Sequence, residues 1–238
     1  MTSRPVQWIR KYFYFFMSLV IAAVVVFGFS QTIDQDLFHA SPLPPLVLDF
    51  HAAVFSGWVV FLMLQSLLVR THKVRVHRTL GWFGVALAVT MVVLGTYTAT
   101  GMDRFHAQND SKNAAFGAAF LIVQWAYVYA FGIMVALAIY WRRSPEFHRR
   151  LMLMGTCVLT DAAWGRFPEH FLAFNVYGAI GADVLILMGV VRDLIVDRRV
   201  HKAYLYGLPA WLVCQVIAEY TYMHASPWWM HIANAILY

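Results

Sequence analysis

Five ionisable side chains fall inside long apolar stretches of this sequence, where charge is costly. They are His51, Asp161, Arg166, Asp183 and Glu219. An ionisable group within a membrane-spanning segment usually has a partner or a function, so these residues are candidates for a binding site. Three carboxyl groups against one arginine leave an excess of negative charge, which favours a bound metal ion, protons or a cationic ligand. The sequence therefore predicts a ligand-binding pocket built from these five residues.

The elements that must position these residues are seven apolar stretches. Hydrophobic residues make up 61% of the 238 residues and charged residues only 13%, with a mean hydropathy of +0.61. Soluble domains have about half apolar and about a quarter charged residues, so the composition indicates a membrane protein. At about 20 residues per span, we predict an all-α transmembrane bundle that forms a single domain over 1–238. The predicted spans are 12–30, 46–69, 80–100, 114–141, 151–171, 176–196 and 204–224, followed by an interfacial segment over 225–238.

The positive charges predict how this bundle is oriented. All Lys and Arg residues except Arg104, Lys112 and Arg166 fall in the N-terminal tail or in every second connection after it. Cytoplasmic loops are enriched in Lys and Arg, so we expect the N-terminus in the cytoplasm and the C-terminus outside. This pattern predicts a multi-pass protein of the bacterial inner membrane, with the lipid bilayer as partner. Because orientation explains the basic residues, we expect no nucleic-acid partner.

The five candidate residues lie at similar depths in the predicted spans. With a rise of 1.5 Å per residue, they are about 15–24 Å from the cytoplasmic ends of their helices. They come from spans two, five, six and seven, so a compact bundle can gather them in a pocket that opens to the outside. The alternative is a buried ion-pair network, in which Arg166 neutralises neighbouring carboxylates and holds the helices in register.

Three histidines near the outer side are candidate ligands for a metal ion or haem b: His51, His170 and His224. Imidazole together with carboxylate suits zinc or iron, and a haem takes imidazoles from two helices at one depth. No metal-ligand spacing such as H-E-x-x-H is present, so the cofactor and the question of enzymatic activity stay open. Three hypotheses follow: a transporter or ligand-binding protein, a haem- or metal-dependent membrane redox enzyme, and an accessory subunit of a larger membrane complex.

A histidine followed by a cation recurs where three predicted helices start on the cytoplasmic side. The pairs are His77 with Arg78, His148 with Arg149, and His201 with Lys202. The repeat suggests three helical hairpins built on one plan, with the first span added to them. These side chains can anchor helix starts at the interface. Alternatively, the three histidines form an anion, lipid or cofactor site.

Three strings of the sequence carry a resemblance to known proteins. They are Phe50-His51-Ala52 through Trp58 to Gln65, His77-Arg78-x-Leu80-Gly81-Trp82-x-Gly84, and His148-Arg149-Arg150-Leu151-Met152-Leu153. In these strings the chain resembles a family of uncharacterised bacterial membrane proteins with about seven helices, over spans one to seven. This resemblance implies the architecture and no activity. The chain is more loosely similar to cytochrome b561 and ferric reductase bundles, but no span carries their paired mid-helix histidines.

Overall fold

The computed structural model describes residues 4–109, 114–168 and 177–238. Backbone polar groups in a bilayer must bond within their own segment, which favours helices for the apolar stretches. The described residues form no strand, so the all-α prediction is confirmed. A five-residue π-helix, Asp34–Phe38, follows the first helix. The α-helices are α1 (Arg4–Ser30), α2 (Val47–Arg70), α3 (Val74–Asn109), α4 (Ala114–Tyr140), α5 (Pro145–Val158), α6 (Asp161–Trp164), α7 (Tyr177–Asp197), α8 (Lys202–Met223) and α9 (Pro227–Leu237).

Four of these helices are long and apolar enough to cross a membrane. They are α1, α2, α3 and the part of α4 from Ala115 to Tyr140. The chain is thus a membrane protein with transmembrane helices. Helices α2, α4, α7 and α8 begin and end within two residues of the predicted spans, whereas α1 and α3 extend well beyond theirs.

Helix α4 lies in the middle of the bundle and contacts α3, α5, α8 and α9. The largest apolar cluster joins side chains of α1, α4, α5, α7 and α8, and among its fully buried members are Met17, Ile21, Met154, Ile186 and Trp211. The predicted pairing of spans six and seven is weak, because α8 packs mainly against α4 and α5 and only slightly against α7. Helix α8 is therefore held in the bundle mainly by helices that are not its neighbours in the sequence.

The short connections bring many helix ends to one end of the bundle. Arg10 near the start of α1 lies 3.7 Å from Asp197 at the end of α7, and Arg150 near the start of α5 bonds Asp193 in the last turns of α7. We call this the basic end. It contains the first turns of α1 and the residues around the connections 71–73, 141–144 and 198–201.

The predicted fifth span, 151–171, is not one continuous helix. Helix α5 ends at Val158, and the separate turn α6 begins at Asp161. Between them, both the backbone N–H and the hydroxyl of Thr160 donate to the carbonyl oxygen of Cys157, at 3.0 and 2.6 Å. This tightened turn and the competing threonine hydroxyl end the regular hydrogen-bond ladder. Asp161 therefore lies directly after a break in the helix.

The C-terminal segment 225–238 contains a helix that folds back onto the bundle. Its Trp229 is buried and donates from Nε1 to the carbonyl oxygen of Ala118 in α4 at 3.0 Å. Arg104 at the far end of α3 donates to the carbonyl oxygen of Ile236. Helix α9 thus covers the ends of α3 and α4 that lie opposite the basic end.

Candidate functional site

Three predicted carboxylates lie near one another where α6, α7 and α8 approach. Asp161 is within electrostatic range of Asp183 and Glu219, and all three side chains are partly buried. Arg166 is within the same range of Asp161 and of His51. The structure thus links the five predicted residues in series, from His51 to Arg166, from Arg166 to Asp161, and from Asp161 to the other two carboxyl groups. We call Asp161, Asp183 and Glu219 the acid cluster.

Two separate sets of hydrogen bonds hold members of the acid cluster. The indole N–H of Trp211 donates to Asp183 at 2.9 Å. The Gln215 amide donates to the Tyr127 hydroxyl at 3.3 Å, and that hydroxyl donates to Glu219 at 3.4 Å. Neutral side chains of α4 and α8 therefore make the hydrogen bonds of Asp183 and Glu219.

Helical spacing explains how α8 presents three groups to this site. Trp211, Gln215 and Glu219 are four residues apart and share one face of the helix. Trp211 packs edge to face on Tyr127 of α4, with ring centroids 4.7 Å apart. On the opposite side, the Trp164 indole packs onto Gly181 of α7, where any side chain would overlap the ring. This glycine allows α6 to approach α7 close to Asp183.

Arg166 contacts neutral groups as well as acting on Asp161. Its Nε donates to the Thr32 hydroxyl at 3.1 Å, and its Nη1 donates to the carbonyl oxygen of Ala162 at 2.6 Å. The guanidinium also lies 4.5 Å from the centre of the Phe29 ring. Arg166 therefore ties the region after α6 to the end of α1.

His51 of α2 lies within electrostatic range of Arg166. Its ring stacks on that of Phe55, with centroids 3.9 Å apart. Its Nδ1 atom is buried and has no hydrogen-bond partner among the residues that the structure describes. His51 can therefore still accept or donate a hydrogen bond at this atom.

The remaining predicted ligands are less informative. His170 lies outside the described residues. His224 is exposed, stacks on Tyr220 and contacts the Tyr220 carbonyl oxygen through Nδ1 at 2.9 Å. Within 4–109, 114–168 and 177–238, no group of three or more His, Cys, Asp or Glu side chains is arranged to hold a metal ion. The metal or haem set of His51, His170 and His224 stays a prediction.

The basic end contains a buried charge network that the sequence pattern did not predict. Arg150 donates to both carboxylate oxygens of Asp193, from Nε at 2.8 Å and from Nη2 at 2.6 Å. Arg192 donates to Asp193 at 2.9 Å and pairs with Asp197. The side chains of Arg150 and Arg192 are 1% exposed, and that of Asp193 is fully buried. We call these four residues the arginine–aspartate network.

The sequence pattern assigned Arg150 and Arg192 to connections between spans, but the structure places them in α5 and α7 with their side chains buried. Only Glu146, Asp193 and Asp197 are acidic among the many cations of the basic end. Asp193 and Asp197 follow Arg192 at the end of an apolar helix, and this spacing is the sequence feature that could have predicted the network. A bidentate arginine–carboxylate pair is the geometry by which such charges tolerate burial.

His201 connects the arginine–aspartate network to α8. Its backbone N–H donates to Asp193 at 3.2 Å, and its Nδ1 accepts from the backbone N–H of Ala203 at 3.1 Å, which caps the helix. Burial, together with the positive charge of Arg150, lowers the pKa of His201 below its ordinary value. The neutral form of His201 is therefore favoured in the folded chain.

The structure brings two of the three predicted interface histidines together. The rings of His77 and His148 are 6.3 Å apart between centroids and nearly perpendicular. His201 instead packs on Phe147, with centroids 4.5 Å apart. Of the cations that follow these histidines, Arg78 and Lys202 are exposed. Arg149 lies over the Tyr14 ring, 4.8 Å from its centre.

No model of a protein family matches this chain, and no curated protein or solved structure matches it either. Its function must therefore be inferred from its own residues.

Proposed function

We propose that this chain is a membrane protein of the transporter or ligand-binding type, which binds a small cation or protons at the acid cluster. The observation that carries this proposal is that neutral donors bond two carboxyl groups inside the bundle, Trp211 bonding Asp183, and Tyr127, itself bonded by Gln215, bonding Glu219. Chains of carboxylates and neutral hydrogen-bonding groups are what pumps and transporters place inside their spans.

The charge balance of the site favours a positively charged ligand. Trp211 donates to Asp183 and Tyr127 donates to Glu219, and both donors are neutral. Neutral donors stabilise a carboxylate without cancelling its charge. Asp161 adds a third carboxyl group within electrostatic range. A bound cation, or protons on these carboxyl groups, would reduce the repulsion among them.

The break between α5 and α6 supports the same proposal. The C-terminal end of a helix carries a partial negative charge from its unpaired carbonyl groups. Helix α5 ends at Val158, three residues before Asp161. In many transporters, helices interrupted within the membrane use such ends to coordinate Na⁺ or H⁺. Asp161 and the end of α5 would then contribute to one cation site.

The orientation of the site follows from the basic end. If the basic end faces the cytoplasm, as the positive-inside rule predicts, the acid cluster lies in the outer half of the bundle. The proposal includes seven spans, with α5 and α6 together forming the fifth, and a location in the bacterial inner membrane.

We test this proposal with the full chain, by cation binding in detergent and by proton flux in liposomes. We would measure binding of Na⁺ and of tetraethylammonium, and proton entry into dye-loaded liposomes under an imposed membrane potential. Asp183→Asn and Glu219→Gln are expected to reduce cation binding or proton entry, whichever the wild type shows, at least about 10-fold, as loss of one charged contact typically does. Asp49→Asn is the control, because Asp49 is an exposed acid in α2. A wild-type protein that binds neither cation and conducts no protons would overturn the proposal.

The same preparation separates the two alternative functions. A Soret band or a bound metal that disappears on replacing His51 would favour a membrane redox enzyme over a cation binder. Stable co-purification with other membrane proteins, without cation binding, would favour an accessory subunit.

A further inference from the structure

The pair formed by His77 and His148 lies apart from the acid cluster, at the basic end. Each histidine is the fourth residue of its helix, α3 or α5, and each ring is partly exposed. They come together from distant parts of the sequence, and a side chain of α2 and a backbone carbonyl of α4 hold them in place. The pair is therefore a feature of the assembled bundle.

Both rings are held through the same nitrogen. His148 Nδ1 lies 2.9 Å from the carbonyl oxygen of Ala138, and His77 Nδ1 lies 2.7 Å from Oε1 of Gln65. Because a carbonyl oxygen only accepts, each Nδ1 is the protonated nitrogen, and each Nε2 keeps its lone pair. Neither Nε2 has a hydrogen-bond partner in the part of the chain that the structure describes. Metal-ligating histidines commonly show this arrangement, in which a carbonyl fixes the ring.

The spacing of the rings fits one shared metal ion. A bond between a metal and an imidazole nitrogen is about 2.0–2.1 Å long. The centre of each imidazole ring lies farther from the ion than its coordinating nitrogen. Two imidazoles on opposite sides of one ion therefore have ring centroids roughly 6.4 Å apart. The observed separation is 6.3 Å. If both Nε2 atoms are directed at one ion, this separation corresponds to nearly linear coordination, since two ligands of a tetrahedral site would have closer ring centres.

We propose that His77 and His148 bind one copper(I) ion between their Nε2 atoms. Copper is among the metals that imidazole suits, and copper(I) accepts two nitrogen ligands in a nearly linear arrangement. Zinc would require further protein ligands, and no third metal-binding side chain is grouped with the pair in the described segments. Arg78, within electrostatic range of His77, also disfavours an ion of higher charge.

The first experiment measures copper(I) binding to the purified full chain under argon, by competition with a coloured copper(I) chelator. We expect one copper(I) per chain in the wild type, and at least a 100-fold weaker affinity in His77→Gln and in His148→Gln. Gln65→Leu removes only the group that orients His77, so it is expected to weaken binding about 10–100-fold. His231→Gln is the matched control, since this exposed histidine in α9 is not part of the pair.

A second measurement does not depend on whether the variants fold. Diethyl pyrocarbonate modifies free imidazole nitrogens, so in the wild type copper(I) should protect His77 and His148 and leave His231 reactive. Equal modification with and without copper(I), or unchanged affinity in both histidine variants, would overturn the proposal. A Soret band in the isolated protein that is lost in His148→Gln would also overturn it, because the pair would then hold a haem iron. Absence of cation binding at the acid cluster has no bearing on this result.

Discussion

The arginine–aspartate network and the acid cluster both contain buried charge, but they balance it differently. In the network, Asp193 is bonded by two arginines, and Asp197 lies close to Arg150, Arg192 and Arg10. In the acid cluster, Asp183 and Glu219 lie within electrostatic range of Asp161 and accept hydrogen bonds from the neutral side chains of Trp211 and Tyr127. The first region pairs its carboxylates with arginines and joins α5 to α7. The second bonds two of its carboxyl groups to neutral donors, and this difference is the physical basis on which we propose a ligand for the second region alone.

The largest expected effect is on the network. Arg150→Met leaves the buried carboxylate of Asp193 without its bidentate partner, and breaking such a pair costs about 3–5 kcal/mol of unfolding free energy. Unfolding of the purified protein in increasing dodecyl sulfate would measure it. Arg75→Met is the control, because the exposed Arg75 should change stability by less than about 0.5 kcal/mol. Equal stability of the two variants would contradict a structural role for the network.

The next effect tests how closely α6 must pack to form the acid cluster. A methyl group at Gly28 of α1 would overlap the backbone carbonyl of Ala163 in α6. Gly28→Ala should therefore cost about 1–3 kcal/mol and weaken cation binding, because α6 carries Asp161. Gly57→Ala, which meets only open space, is expected to leave both properties intact. Normal cation binding by Gly28→Ala would show that the position of α6 is not critical.

A smaller effect separates hydrogen bonding from charge in the acid cluster. Tyr127→Phe removes the hydroxyl between Gln215 and Glu219, and loss of one such hydrogen bond costs about 0.5–1.5 kcal/mol. Proton flux in liposomes should fall much more than stability does, because Glu219 loses its hydrogen-bonded link to Gln215. Tyr129→Phe, at an exposed position of the same helix, controls for the substitution. An undiminished flux in Tyr127→Phe would exclude this route.

The smallest effect is a pH dependence at the edge of the network. The pKa of His201 is lowered in the folded chain, so below its unfolded pKa of about 6.5 the unfolded chain binds more protons. Stability should therefore be fully present above that pH and decrease as the pH falls through it, since protonation also removes the lone pair that caps α8. His201→Ser keeps a capping oxygen and should flatten this part of the profile between pH 7.5 and 5.5. An unchanged slope in the variant would assign the effect to another group.

The sequence predicted the helices better than the interruption in one of them. Long apolar runs between polar connections placed α2, α4, α7 and α8 almost correctly, because the length of a span depends mainly on local hydrophobicity. The break before Asp161 depends on how Thr160 folds back on Cys157. Threonine is common in continuous helices too, so its presence alone did not indicate a break.

The candidate residues were predictable by type, but their partners were not. Asp161, Asp183 and Glu219 stand out because they interrupt apolar runs. Burial of Arg150 and Arg192 depends on packing between helices from distant parts of the sequence. A basic residue near a helix end has the same local pattern whether it points to water or into the bundle. The pairing of His77 with His148 likewise depends on the approach of separate helices.

Helix α1 contacts both charged regions, the acid cluster through α6 and the arginine–aspartate network through Asp197. It spans 27 residues, or roughly 40 Å, with Gly28 against the backbone of α6 at one end and Arg10 beside Asp197 at the other. If α6 moves to admit a ligand, it must either separate from Gly28 or carry α1 with it. In the second case, the movement of α1 that accompanies ligand binding at the acid cluster would also displace Arg10 from Asp197.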